Sequence, residues 1–170
     1  GGMLSNFLNQ MKQQGKADEA IGALREKAKQ VAKRLGRAPM LLVAKPGLDG
    51  HSNGAEQIAY RARDCGFAVS YDGIRLTPAE IARAAKEKRP HAIGLSILSG
   101  SHKELVADVM RELKAAGLAN IPVIVGGIVP PEDEAALKAL GVTRIYTPKD
   151  FDLNAIMGDM LDVADQIAAV

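Results

Sequence analysis

Residues 41–60 read LLVAKPGLDGHSNGAEQIAY. An apolar run ends in Lys45-Pro46-Gly47, and a helical pattern resumes near Ala55. Between them stands Asp49-Gly50-His51-Ser52-Asn53-Gly54, rich in turn formers and holding one of only three histidines in the chain. Strand, loop, helix is the repeating unit of an α/β domain, and this stretch sets the frame in which the rest of the chain is read.

From residue 40 onward apolar runs alternate with helical patterns. Strands are expected at Met40–Ala44, Phe67–Tyr71, Ala92–Leu98, Pro122–Val125 and Thr143–Tyr146. Helices are expected at Asn53–Cys65, at Pro78–Lys88 with Thr77 as N-cap, at Ser101–Ala116 before Gly117, at Pro131–Leu140, and from about Asp152. Several of the strands are continuously apolar, as parallel strands covered on both faces should be. Five such units predict a flavodoxin-like, doubly wound α/β domain with a five-stranded parallel sheet in the order 2-1-3-4-5, over residues 39–170. Residues 1–38 form an N-terminal helical extension. Gly1-Gly2 resemble a cloning scar, and Gly15 is expected to split the arm into two helical pieces. Ile21, Leu24, Ala28, Val31 and Leu35 make an apolar stripe suited to the domain, a second copy or another subunit.

Composition narrows the function. The 170 residues suit one domain, and nearly half are apolar. Six aromatic rings and no Trp disfavour modules that stack bases on exposed aromatics. The first 39 residues hold eight basic and three acidic side chains, a net of +5, leaving −3 for the rest of a chain whose total is +2. Basic residues scattered along an amphipathic helix are more often a solvated face than a nucleic-acid patch. The lone Cys65 fits a reducing, cytoplasmic compartment, and no apolar run is long enough to span a membrane.

In a sheet of this order, ligands bind beyond the carboxyl ends of the strands, at the switch point between strands 1 and 3. The residues there are the least ordinary of the chain: the His51 loop, Ser96-Ile97-Leu98-Ser99-Gly100, Gly126-Gly127 and Tyr146-Thr147. An imidazole ligates a metal through one nitrogen when the other carries the proton, and a carboxylate on that N–H fixes the tautomer. Asp49 is two residues from His51, and Lys45 is placed to pair with Asp49 in turn. The alternative is a solvated loop histidine among turn residues. No cysteine pair and no histidine at i+3 or i+4 accompany His51, so a zinc site is disfavoured. A single protein ligand suits a metal already held by a macrocycle. Ser96 and Leu98 share one side of strand 3, and Gly126 and Gly127 leave room for a bulky group. His91 and His102 read as structural or solvated.

Asp49-x-His51-x-x-Gly54, then Ser96-x-Leu98, then Gly126-Gly127, resemble the signature of cobalamin-binding domains. The stretches KPGLDGHSNGAEQIA, GIRLTPAEI, GLSILSGSH, VIVGGIVPPED and YTPKDF resemble the C-terminal domain of adenosylcobalamin-dependent acyl-CoA mutases of the methylmalonyl-CoA mutase family, ethylmalonyl-CoA mutase above all. The resemblance implies that cobalamin binds base-off. His51 would be the lower axial ligand to cobalt, with Asp49 and Lys45 behind it. Ser96 would bond the displaced benzimidazole, and Leu98 would line its slot. Gly100, Gly126, Gly127, Tyr146 and Thr147 would border the nucleotide tail, while Gly50, Ser52, Asn53, Gly54 and Ile58 would meet the corrin or the tail's entrance. It further implies a (β/α)8 acyl-CoA-binding barrel on another chain, since such a barrel needs about 250 residues. The chain would not be catalytic alone. A homodimer through the N-terminal helix is a further expectation, and neither nucleic acid nor membrane is an expected partner. The rival readings are a cobalamin carrier or regulatory module without mutase activity, and a response-regulator-like switch. The second would need an aspartate at the end of strand 3, where Ser96-Ile97-Leu98 stands.

Overall fold

The computed structural model describes residues 2–46, 53–97, 102–147 and 152–168. The strands are β1 (Met40–Pro46), β2 (Ala68–Leu76), β3 (Ala92–Ile97), β4 (Val123–Gly127) and β5 (Arg144–Tyr146). The helices are α1 (Gly2–Leu35), α2 (Asn53–Cys65), α3 (Pro78–Lys88), α4 (His102–Ala115), α5 (Pro131–Ala139) and α6 (Leu153–Ala168). All strand pairs are parallel, and the order is β2-β1-β3-β4-β5. The expected fold class and strand order are therefore those of the molecule.

Side chains alternate across the sheet, so each face builds its own core. Leu42, Ala44, Ile93, Leu95, Ile97, Val123 and Val125 pack under α3, α4 and α5. Leu41, Val43, Ala92 and Ile124 pack under α2 and α6, with α1 laid over them. The second face carries the candidate site.

α1 departs from the expected pair of helices. It is one helix through Gly15. A glycine inside a helix costs about 1 kcal/mol, which the flanking Lys12, Gln13, Gln14, Lys16 and Ala17 absorb because they are good helix formers. Its second half buries Leu24, Ala28 and Val31 and runs in the same direction as α6. Lys27 meets Asp162 at 2.5 Å and Arg34 meets Asp165 at 2.6 Å along this seam, while Arg25 bonds Asp64 of α2 at 2.8 Å. Because α6 begins at the strand-end rim, the first half of α1 runs past that rim. Gly2 to Lys16 are all exposed, a span of roughly 22 Å at 1.5 Å per residue.

Several element ends also shift. β1 runs on to Pro46 and β2 to Leu76, because the two strands keep pairing past Val43 with register shifts at Lys45 and Pro46. β4 includes both Gly126 and Gly127, which pair with Ser96 and Ile97 rather than forming a turn after the strand.

Candidate functional site

The site is a trough on the α2/α6 face of the sheet. In one row across the strands lie Val43, Gly94 and Ile124; in the next, toward the rim, lie Ser96, Gly126 and Tyr146. Central strands in this position normally fill the space under the helices with branched aliphatic side chains. Here Gly94, Ser96 and Gly126 leave it empty. The result is a cavity of about 220 Å³, walled by Ile58 of α2, by Leu153, Ile156 and Met160 of α6, and by Tyr146 and Thr147.

Of the residues singled out in the sequence, Gly54, Ile58, Ser96, Gly126, Gly127, Tyr146 and Thr147 line this cavity. Asn53 opens α2 at its mouth. Asp49, Gly50, His51, Ser52, Leu98 and Gly100 lie outside the described residues. Lys45 is 0% exposed at the end of β1. A buried ammonium must be paired to be tolerated.

The two glycines of β4 serve different ends. A side chain at Gly127, where φ is +150°, would put its Cβ 1.8 Å from the Ile97 carbonyl oxygen. That glycine is demanded by the chain's own packing. A Cβ at Gly126 would meet nothing nearer than the Tyr146 carbonyl oxygen at 3.9 Å, and at Gly54 nothing nearer than Ser96 Oγ at 4.0 Å. Those two positions are open toward the cavity. Gly94 escaped the sequence reading, although a glycine inside an apolar strand is a signal of close approach. The α6 wall was legible only as an amphipathic stripe.

The chemistry of the lining is simple. It is overwhelmingly apolar, with the Ser96 and Thr147 side chains among the few polar contributors. The volume falls below the roughly 300–1,000 Å³ of pockets that enclose a drug-sized ligand. It is a slot for an apolar group rather than an enclosure for a whole large ligand. No group of three or more His, Cys, Asp or Glu side chains able to hold a bare metal ion occurs among the described residues. Burial pushes the Cys65 thiol up, away from reactivity. His91 lies at the opposite end of the sheet, where its Nδ1 accepts the Met40 N–H at 3.0 Å and its backbone N–H donates to the Met40 carbonyl at 2.8 Å. Its part is structural.

Strand order and trough together define a flavodoxin-like α/β domain with an apolar slot at its switch point. The family described as B12 binding domain matches residues 39–150, and the chain belongs to that family. It is 58% identical over 150 residues to the ethylmalonyl-CoA mutase of Cereibacter sphaeroides, a match covering 88% of this chain and 23% of that protein. It is 41% identical over 131 residues to the methylmalonyl-CoA mutase of Escherichia coli, covering 77% and 18%. The chain thus spans less than a quarter of the length of these relatives. Among solved structures, a cobalamin-binding protein from Desulfitobacterium hafniense superposes with a TM-score of 0.63 at 24% identity, covering 74% of this chain and 58% of that one. A LuxR-family response regulator from Staphylococcus aureus superposes with a TM-score of 0.57 at 14% identity, covering 74% and 98%. Both likenesses speak for the fold. The chain is a cobalamin-binding domain homologous to those of acyl-CoA mutases.

Proposed function

We propose that this chain binds adenosylcobalamin base-off and His-on, as the cofactor-binding part of a radical acyl-CoA carbon-skeleton mutase whose substrate site is a separate barrel. The observation that carries the reading is the Gly94, Ser96 and Gly126 trough, opened at the switch point where β1 ends and α2 begins, the two elements that the sequence joins through Asp49 and His51. An apolar slot of this size accepts the dimethylbenzimidazole and its tail once that base has left cobalt. The Ser96 hydroxyl, which lines the slot, would bond the heterocycle. Leu98, Gly100, Gly127, Tyr146 and Thr147 border the tail, while Gly50, Ser52, Asn53, Gly54 and Ile58 meet the corrin or the slot's entrance.

His51 would be the residue that holds the cobalt. Asp49 would accept from its other ring nitrogen, with the buried Lys45, four residues earlier, placed behind it as the third member of the relay. This chain therefore binds the cofactor, sets the basicity of one axial bond and keeps water from the tail. The cofactor supplies the carbon-centred radical by homolysis of its cobalt–carbon bond. The rearrangement itself belongs to the barrel.

The exposed apolar residues of α1, Leu4, Phe7, Leu8 and Met11, lie on the part of the helix that runs past the rim. A partner closing the rim would cover them. A free-standing helix of this length is marginal in water, which favours such a cover. No helix among the described residues is long and apolar enough to cross a membrane. A reducing cytoplasm is the compartment that suits Cys65.

The test is an absorption spectrum of the chain incubated with adenosylcobalamin, followed by mixing with a candidate barrel subunit and acyl-CoA. A spectrum of nitrogen-ligated cobalamin in the wild type, which in His51→Ala shifts to that of cobalamin without a lower nitrogen ligand while the far-ultraviolet circular dichroism is kept, supports the reading. An unchanged spectrum in that variant sinks the axial assignment. Turnover only in the mixture marks the mutase. Tight binding with no barrel partner marks a carrier, and sedimentation separates a mixed complex from a homodimer through α1.

A further inference from the structure

The cavity wall supplied by β5 is held by side chains that the signature motifs do not include. β5 is an edge strand of three residues, hydrogen-bonded on one side only, to β4. Its backbone alone gives the wall little rigidity. Arg144 and Tyr146 lie two apart and so point to one face of the sheet. Arg144 Nε donates to both carboxylate oxygens of Asp159 on α6, at 3.1 and 3.4 Å, and Arg144 Nη1 donates to the Thr143 carbonyl at 3.0 Å. The Tyr146 hydroxyl donates to Oδ2 of the same Asp159 carboxylate. Tyr146 lines the cavity, as does Met160, the neighbour of Asp159.

We propose that Asp159 is a positioning residue. Braced by Arg144, it anchors the Tyr146 hydroxyl and fixes that ring as a preset wall of the slot, which governs how firmly the tail of the cofactor is retained. The inference rests on the cobalamin reading above. Its physical basis is preorganisation. A tyrosine held at both ends of its side chain need not be ordered when the ligand arrives, whereas a ring anchored only at Cβ must be. Gly126, beside Tyr146 in register, has no side chain to steady the ring from the other side. The Arg144–Asp159 pair itself is partly exposed, at 40% and 34%, so it adds little to global stability. Its effect therefore falls on ligand retention more than on folding.

Tyr146→Phe keeps the ring and removes the hydroxyl; Asp159→Asn keeps the shape and removes the charge that binds Arg144 and Tyr146. Each variant, and the double variant, is loaded with adenosylcobalamin. The dissociation constant and release rate are compared with the Tm of the unloaded chain. Each single change is expected to speed release by about three- to tenfold, the size of one ordinary, partly solvated hydrogen bond, with Tm little altered. The double variant is expected to be no worse than the weaker single one, because both changes cut one chain of contacts. Wild-type retention in both single variants overturns the proposal. So do multiplying losses in the double variant, or a Tm that falls in step with affinity. A wild-type chain that binds no cobalamin overturns the cobalamin reading and this inference with it, whereas binding in the wild type with unaltered variants overturns this inference alone.

Discussion

Gly126 and Gly127 are neighbours in sequence with opposite duties. At Gly127 the added methyl of an alanine collides with the Ile97 backbone, so Gly127→Ala is expected to cost about 2–4 kcal/mol in denaturant unfolding, with or without ligand. At Gly126 there is space, and it belongs to the slot. Gly126→Val is expected to leave unfolding within about 0.5 kcal/mol of wild type and to weaken adenosylcobalamin binding at least about tenfold, read by titration. Normal affinity in Gly126→Val would mean that the tail takes another path. From sequence alone both glycines read alike, as room for a bulky group. What separates the two is strand register and a backbone contact to β3, which no local pattern encodes. His91 gives a residue-scale pH effect. Burial first, and then the nearby positive charge of Arg37, hold its pKa below 6.5. The unfolded chain therefore binds a proton that the folded chain resists, so stability falls as the pH drops through 6.5 toward the depressed folded value. Unfolding midpoints measured across that window are expected to decline on the acid side, and His91→Gln, which keeps an acceptor for the Met40 N–H, should flatten the decline. A flat wild-type profile would contradict this.

At the scale of elements, the sequence was most legible where local chemistry closes on itself. Thr77-Pro78 announced the start of α3, although the part played by Glu80 was not read. In the structure the Thr77 hydroxyl accepts the Glu80 N–H and the Glu80 carboxylate accepts the Thr77 N–H, each at 3.1 Å. These bonds to Thr77, backbone first, hold the Glu80 carboxyl below its ordinary range. α1 was less legible, because a glycine is a weak breaker when its neighbours favour helix, and because an apolar stripe does not name its partner. The structure divides the labour along α1. Leu24, Ala28 and Val31 belong to the core of the domain, and Gly2 to Lys16 do not. Deleting residues 2–16 is accordingly expected to leave the Tm of the isolated domain within about 2 °C of the full chain. Val31→Asp is expected to cost several kcal/mol through a buried, unpaired charge. A large fall in Tm on the deletion would show that the free half of α1 folds against the domain after all.

For the whole molecule, alternation of apolar runs and helical patterns was enough to reach the sheet order, since right-handed crossovers leave few other arrangements. The rim position of the site followed from the topology and the signature residues. The cavity itself did not, because it is made by what three adjacent strands lack under two helices far apart in sequence. It becomes visible once Gly94, Ser96 and Gly126 are seen in neighbouring rows.

The most direct test uses electron paramagnetic resonance of the chain loaded with the cobalt(II) form of cobalamin, once with ordinary protein and once with protein labelled with nitrogen-15 at histidine. The hyperfine pattern reports the nitrogen bound to the lower face of cobalt. A three-line splitting that becomes two-line on labelling is expected, because the coordinating nitrogen then belongs to His51. A three-line splitting that survives labelling would place the cofactor's own benzimidazole on the metal and would contradict the base-off, His-on assignment.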